Sequence, residues 1–183
     1  MTEPTPPSTE HVESFEPDRI LQALCHHHVQ FVVVGGVAAR AHGARRATTD
    51  LDCVLNPERA NLERVAAALR DLSARLRVAG MSDGEARRLP VRIDARTLAA
   101  FGSSTWMTDG GPLDLLVELR MADGSRRSFA ELFANASVIH VGTLTARVAA
   151  LADVIGSKEF ANRPKDREAL PELRGLLSRQ GDA

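Results

Sequence analysis

Apolar positions recur along this chain in two periods, and each change of period marks a new element. Pro17 and Asp18 open a stretch in which Ile20, Leu21 and Leu24 share a helical face, running to His26, His27 and His28. Phe31 to Val34 is an unbroken aromatic and β-branched run, the pattern of a fully buried strand, and Gly35 and Gly36 end it. A short helix from Val37 to about His42 is expected next, stopped by Gly43, before Leu51 to Leu55 returns to a strand pattern. Asn56 and Pro57 signal another helix start, which Leu62, Val65, Ala66, Leu69, Leu72 and Leu76 continue at helical spacing.

The segment from Val78 to Ser103 is mixed, with a short strand expected near Val91 and a short helix after Asp94. Ser104 to Thr108, the turn Asp109-Gly110-Gly111, and the alternating run Leu113 to Leu119 form a β-hairpin pattern. Ser128 with Glu131 is a capping box opening a helix that ends near Ala136. Val138 to Val141 and Leu144 to Val148 flank Gly142 as two short strands. Leu151 to Phe160 is helical, and Pro164 opens a last helix reaching Leu177. This order predicts an α/β (α+β) protein, a mixed β-sheet flanked by helices. Residues 1–17 are expected to be a disordered acidic leader and residues 18–183 a single domain.

Composition narrows the class. No apolar run approaches the roughly 20 residues that span a bilayer, and the amino terminus lacks the basic start and apolar centre of a secretory signal, so no membrane partner is expected. Cys25 and Cys53 sit in apolar segments and read as buried thiols of a cytoplasmic protein. Cys25, His26, His27 and His28 are consecutive and point in different directions, which argues against a zinc site. The net charge is −1, but the first eighteen residues hold five acids and no Lys or Arg, leaving about +4 on the remainder. That permits a nucleic-acid partner without requiring one. Of 23 basic residues only Lys158 and Lys165 are lysine, and both fall in one short window.

The candidate chemistry lies in VGGVAARAHGARRATTDLDCVL, from Val34 to Leu55. Residues two apart in a strand share a face, so Asp50 and Asp52 project together while Leu51 and Cys53 enter the core. Two carboxylates so close repel unless a cation lies between them, and hard oxygen ligands suit Mg²⁺ or Mn²⁺. Gly35 and Gly36 let backbone N–H groups approach a phosphate. Asp114 interrupts the apolar run around Leu113 and Leu115 and is either a surface charge or a third site carboxylate. Arg45, Arg46, Thr48 and Thr49 either reach phosphates or form a solvated loop. Trp106 and Phe101 are expected to pack in the core rather than to stack on a base.

Taken together, Gly35-Gly36 followed by Asp50 and Asp52 resembles the nucleotidyltransferase signature of the DNA polymerase β-like superfamily, and the resemblance implies that superfamily's fold. It also implies a third carboxylate on a neighbouring strand, which Asp114 would supply. The stretch LADVIGSKEFANRPKDREAL is similar to the end of small bacterial nucleotidyltransferases of the AbiEii and MenT toxin type, through Lys158, Arg163, Lys165 and Asp166. By that resemblance Asp50, Asp52 and Asp114 would hold the metals. Lys158 would meet the triphosphate, with Gly35, Gly36, Arg46, Thr48 and Asp166 around the nucleotide. The implied reaction moves a nucleoside monophosphate from NTP to a hydroxyl acceptor. A tRNA 3′ end would make the protein a toxin countered by an antitoxin. The alternatives are a non-catalytic nucleotide-binding or antitoxin-like module, and a small-molecule (antibiotic) nucleotidyltransferase.

Overall fold

The computed structural model describes residues 15–86, 88–141 and 144–181. The expectations for most of the leader and for Gly142 lie outside the described residues. In chain order the elements begin with α1 (Pro17–His26), β1 (Phe31–Val34), α2 (Gly35–Ala41), β2 (Leu51–Leu55), α3 (Arg59–Asp71) and β3 (Arg75–Arg77). There follow α4 (Asp83–Ala86), α5 (Ala95–Phe101), β4 (Ser103–Thr108), β5 (Gly111–Leu116), β6 (Glu118–Arg120) and β7 (Arg126–Ser128). The chain continues through α6 (Phe129–Asn135), β8 (Ser137–Val141), β9 (Leu144–Val148), α7 (Leu151–Ala161) and α8 (Pro164–Gly181).

Seven strands make one mixed sheet in the order β3-β4-β5-β2-β1-β9-β8, while β6 and β7 form a separate ribbon. β2 runs antiparallel to β1 and parallel to β5, and β1 runs parallel to β9. The expected mixed sheet flanked by helices is therefore the observed one. β1 is interior and all four of its residues are buried, as an unbroken apolar run requires. β5, also interior, buries Leu113 and Leu115 on one face and turns Asp114 and Leu116 to the other. Asp114 is thus not an edge-strand surface charge. No helix among the described residues is long and apolar enough to cross a membrane.

Local chemistry explains most element ends. Ser128 and Glu131 make the reciprocal capping box at α6, and Asp94 caps α5 by accepting the Thr97 N–H at 2.8 Å. Gly35 has φ +64°, so the chain passes from β1 into α2 without the two intervening residues expected. Asn56 does not cap α3. Its Oδ1 accepts the Glu58 N–H at 3.0 Å in a tight turn, and the helix starts at Arg59.

Three expectations are corrected. Leu76 is not helical: α3 ends at Asp71, Ser73 turns the chain at φ 50°, and Leu76 pairs with Trp106 across β3 and β4. Four-residue spacing cannot distinguish another helical turn from a reversal into a strand. No strand forms near Val91, because Pro90 offers no N–H and the Val91 N–H instead closes a tight turn onto Leu89 O at 2.8 Å. The run Leu113–Leu119 is broken at Val117. Leu116 pairs with Ser103, the first residue of β4, and beyond that pair the chain leaves the sheet, with Val117 46% exposed.

The core lies on both faces of the sheet and includes Trp106, whose Nε1–H donates to Ser104 Oγ at 2.9 Å. Phe101 is not in the core with it but 38% exposed. Both cysteines are free thiols, Cys53 fully buried and Cys25 partly so.

Candidate active site

Residues of five strands (β1, β2, β4, β5, β6) and four helices (α2, α5, α7, α8) line one open cavity of about 700 Å³. Leu51 and Cys53 anchor β2 in the core, which leaves Asp52 and the preceding Asp50 on the opposite face. The parallel register sets Asp52 directly beside Asp114 of β5. One carboxylate oxygen from each of Asp50, Asp52 and Asp114 lies within 4.8 Å of the others. Among the described residues this is the only group of three or more His, Cys, Asp or Glu side chains able to share a metal ion. The histidine cluster after α1 makes no such site.

The electrostatics of the cluster follow from its burial. Asp52 is pushed up to about 6, first by burial, then by the neighbouring Asp50 and Asp114, with Lys158 and Lys165 opposing. Asp114 is also raised, mainly by burial, against a lowering hydrogen bond from Thr105. Asp114 Oδ1 is a buried oxygen without a hydrogen-bond partner among the described residues. Such an orphan acceptor, in a cluster of carboxylates that repel one another, is what a divalent cation would satisfy. The donor set is all oxygen and hard, so the residues fit that ion, whose identity the geometry leaves open.

Both glycines are required by these side chains. A Cβ on Gly35 would overlap Asp52 Oδ2, and one on Gly36 would overlap Thr48 Oγ1. Thr48 in turn donates its hydroxyl to Asp50 Oδ1 at 2.9 Å, fixing that carboxylate.

The cationic side of the cavity comes from the carboxyl-terminal helices. Asp166 on α8 is fully buried and receives Lys158 Nζ at 3.2 Å and Arg163 Nε at 2.6 Å. Burial alone would raise Asp166, but the hydrogen bonds from Arg163 and Lys158 outweigh it and hold the carboxyl below its ordinary range. Lys165, in the first turn of α8, also lines the cavity, and its charge acts on both Asp52 and Asp114.

Of the residues picked from the sequence, Gly35, Gly36, Arg46, Thr48, Thr49, Asp50, Asp52, Asp114, Lys158, Arg163, Lys165 and Asp166 border this one cavity, and Arg45 does not. Arg46 is bound at 2.7 Å to Glu168, and Arg45 is directed to solvent with a bond to Glu172. Phe101, expected from the sequence to pack in the core, is instead exposed at the rim; the sequence did not single out Phe160, also exposed there, or Arg120, whose guanidinium lies 6.0 Å from the Phe160 ring centre. They come from separate elements and share no spacing that could have linked them.

No protein-family model and no curated protein sequence matches the chain. Solved structures do. A lincomycin-bound lincosamide antibiotic adenylyltransferase, LnuA, superposes with TM-score 0.57 at 13% identity, covering 89% of this chain and 99% of that one. The antibiotic-resistance factor ANT(2″)-Ia in complex with adenylyl-2″-tobramycin gives 0.51 at 17% identity, covering 91% and 97%. A protein of Thermotoga maritima proposed to be a nucleotidyltransferase gives 0.51 at 14% identity, covering 91% and 98%. At these identities the likeness is one of architecture, and the architecture of this chain is the nucleotidyltransferase fold.

Proposed function

We propose that this protein is a metal-dependent nucleotidyltransferase that moves a nucleoside monophosphate from NTP to a hydroxyl acceptor. The observation that carries this is Asp114, whose Oδ1 is buried and orphaned and one of whose carboxylate oxygens lies within 4.8 Å of oxygens of Asp50 and Asp52, in a cavity whose other wall is cationic. Mg²⁺ or Mn²⁺ held by these carboxylates would polarise the phosphate oxygens and ease ionisation of the acceptor hydroxyl.

The chain's own groups have separable roles. Asp114, beside Asp52 and next to the place where the metal would ease ionisation of the hydroxyl, accepts the proton of the acceptor. The acceptor oxygen bonds to the α-phosphorus as the bond to the bridging oxygen breaks, and pyrophosphate leaves with that electron pair. Lys158 and Lys165 offset the charge gathering on the leaving group. Gly35 and Gly36 leave room for the phosphates and for the Asp52 carboxylate at once. Asp166 positions Lys158 rather than touching the reacting atoms.

For the acceptor, the resemblance of the Lys158–Asp166 segment to the AbiEii and MenT type favours a tRNA 3′ end, with a cognate antitoxin as the protein partner. The antibiotic adenylyltransferases that share the fold favour a small-molecule acceptor.

The test is a thermal melt of the wild-type protein and of Asp52→Ala with Mg²⁺, with each of the four NTPs, and with both together, alongside an NTP-incorporation assay on cellular RNA and on lincomycin and tobramycin. Metal and NTP together should raise the wild-type Tm more than either alone. Asp52→Ala should remain folded, show no such shift and label nothing. No shift with any NTP, or undiminished labelling by Asp52→Ala, overturns the assignment.

A further inference from the structure

The row of residues that contains the site carboxylates does not stop at Asp114. Across the sheet, Asp52 of β2 lies beside Asp114 of β5, Asp114 opposite Thr105 of β4, and Thr105 opposite Arg77 of β3. Residues directly opposite in neighbouring strands share a face, so all four project to the side of the carboxylates. At about 4.8 Å per strand, the Arg77 backbone lies about 10 Å from that of Asp114, a distance an arginine side chain can largely bridge. Its charge does act on Asp114, which it holds down against the effect of burial.

Arg77 is exposed, and among the described residues no hydrogen bond or salt bridge engages its guanidinium. β3 is an edge strand, so the row ends in solvent. Neither Thr105 nor Arg77 lines the cavity, so a ligand reaching them extends beyond it. The sequence points the same way: residues 75–96 hold six arginines against three acids, most of the positive charge outside the leader. The carboxylates are thus flanked by cations on two sides, Lys158 and Lys165 on α7 and α8 with Arg163 between those helices, and Arg77 on the sheet edge. One flank is accounted for by the triphosphate.

We propose that Arg77 is an anion subsite for the acceptor, which is therefore a hydroxyl compound bearing a phosphate about one nucleotide away from the reacting hydroxyl. This rests on the proposed nucleotidyl transfer, with Asp114 taking the acceptor's proton. A polycationic antibiotic would meet like charge at Arg77, and a neutral one would leave it unused. The phosphate belongs either to a free nucleotide or to an RNA terminus.

Binding of three probes distinguishes these cases: adenosine 5′-monophosphate, a 5′-labelled single-stranded RNA trinucleotide with a free 3′-hydroxyl, and tobramycin. Each is titrated against wild type, Arg77→Ala and Arg77→Glu in the presence of Mg²⁺ and a non-hydrolysable NTP. Trinucleotide affinity should fall about tenfold in Arg77→Ala and further in Arg77→Glu, and the salt dependence should lose about one charge. Both variants should melt cooperatively near the wild-type temperature and retain a Mg²⁺–NTP shift. Monophosphate binding equal to the trinucleotide's, with the same dependence on Arg77, supports the subsite and identifies a free nucleotide as its occupant. Equal trinucleotide affinity in all three proteins, no binding of either phosphate probe by wild type, or tighter binding of tobramycin overturns the subsite. Absence of the Mg²⁺–NTP shift in wild type would instead count against nucleotidyl transfer itself.

Discussion

At Asp52 a carboxylate is held where its charge is unfavourable, and the pH dependence of stability should show it. Its native value of about 6 lies above the ordinary 3.8, so the native state binds the proton more tightly than the unfolded chain. In metal-free protein the ionised group therefore destabilises the fold above pH 6, and the penalty disappears as pH falls toward 4. Asp52→Asn in EDTA should raise Tm at pH 7.5, by the equivalent of about 3 kcal/mol, and leave it unchanged near pH 4 while transfer is abolished. A pH series of thermal melts checks the sign. The two lysines make a second test at this scale. Lys158 Nζ is fitted to Asp166 with only 14% of its side chain exposed, so Lys158→Arg keeps the charge but not the geometry. Transfer should drop by tenfold or more, whereas Lys165→Arg, at the exposed start of α8, should be milder. Steady-state rates for the two variants decide whether their survival among 21 arginines reflects function.

The elements are tied together by a few buried polar groups. Asn61 in α3 is 1% exposed. Its Oδ1 accepts the Gln30 N–H at 2.7 Å, and its Nδ2 donates to Gln30 O at 3.0 Å and Asn56 O at 2.9 Å. It thereby joins the helix to the chain entering β1 and leaving β2. Asn61→Ala strands these backbone groups and should lower stability by about 2–3 kcal/mol in a urea titration, with NTP binding retained in the folded fraction. Asp166 joins α7 to α8 in the same way. Its lowered pKa contributes stability that is present above the unfolded value near 3.9 and is lost as pH falls through the native one. Asp166→Asn should lower stability by about 2 kcal/mol at pH 7, and the difference from wild type should shrink below pH 4. A difference that persists in acid would assign the effect to packing.

Over the whole molecule, α8 serves as one wall of the site and as a cover for the core. It buries Ala169, Leu170 and Leu173, packs along α7, and holds the loop before β2 through Arg45–Glu172 and Arg46–Glu168. Thr48, which fixes Asp50, lies on that loop. Removing residues 164–183 should therefore eliminate cooperative unfolding and NTP binding together, because the exposed core and the loss of Lys165 and Asp166 have one cause. A truncated chain that still melts cooperatively would show α8 to be an appendage.

Local chemistry determined much of this protein. β1 and β2 are bounded as their apolar runs specify, the capping box at Ser128 starts α6, and Gly35-Gly36 with Asp50 and Asp52 line one cavity. These features depend on residues adjacent in sequence, whose periodicity, caps and backbone freedom act before any tertiary contact forms. Where four-residue spacing served helix and reversal equally, as at Leu76, or where a strand lost its partner, as at Val117, only sheet pairing decided the outcome. The third carboxylate shows the division most clearly. The sequence left Asp114 as a surface charge or a site residue, and the parallel pairing of β5 with β2 placed it beside Asp52. Arg77 had no sequence signal of its own beyond the arginine surplus of its segment, since its place in the row is set by the register of three strands whose residues are far apart along the chain.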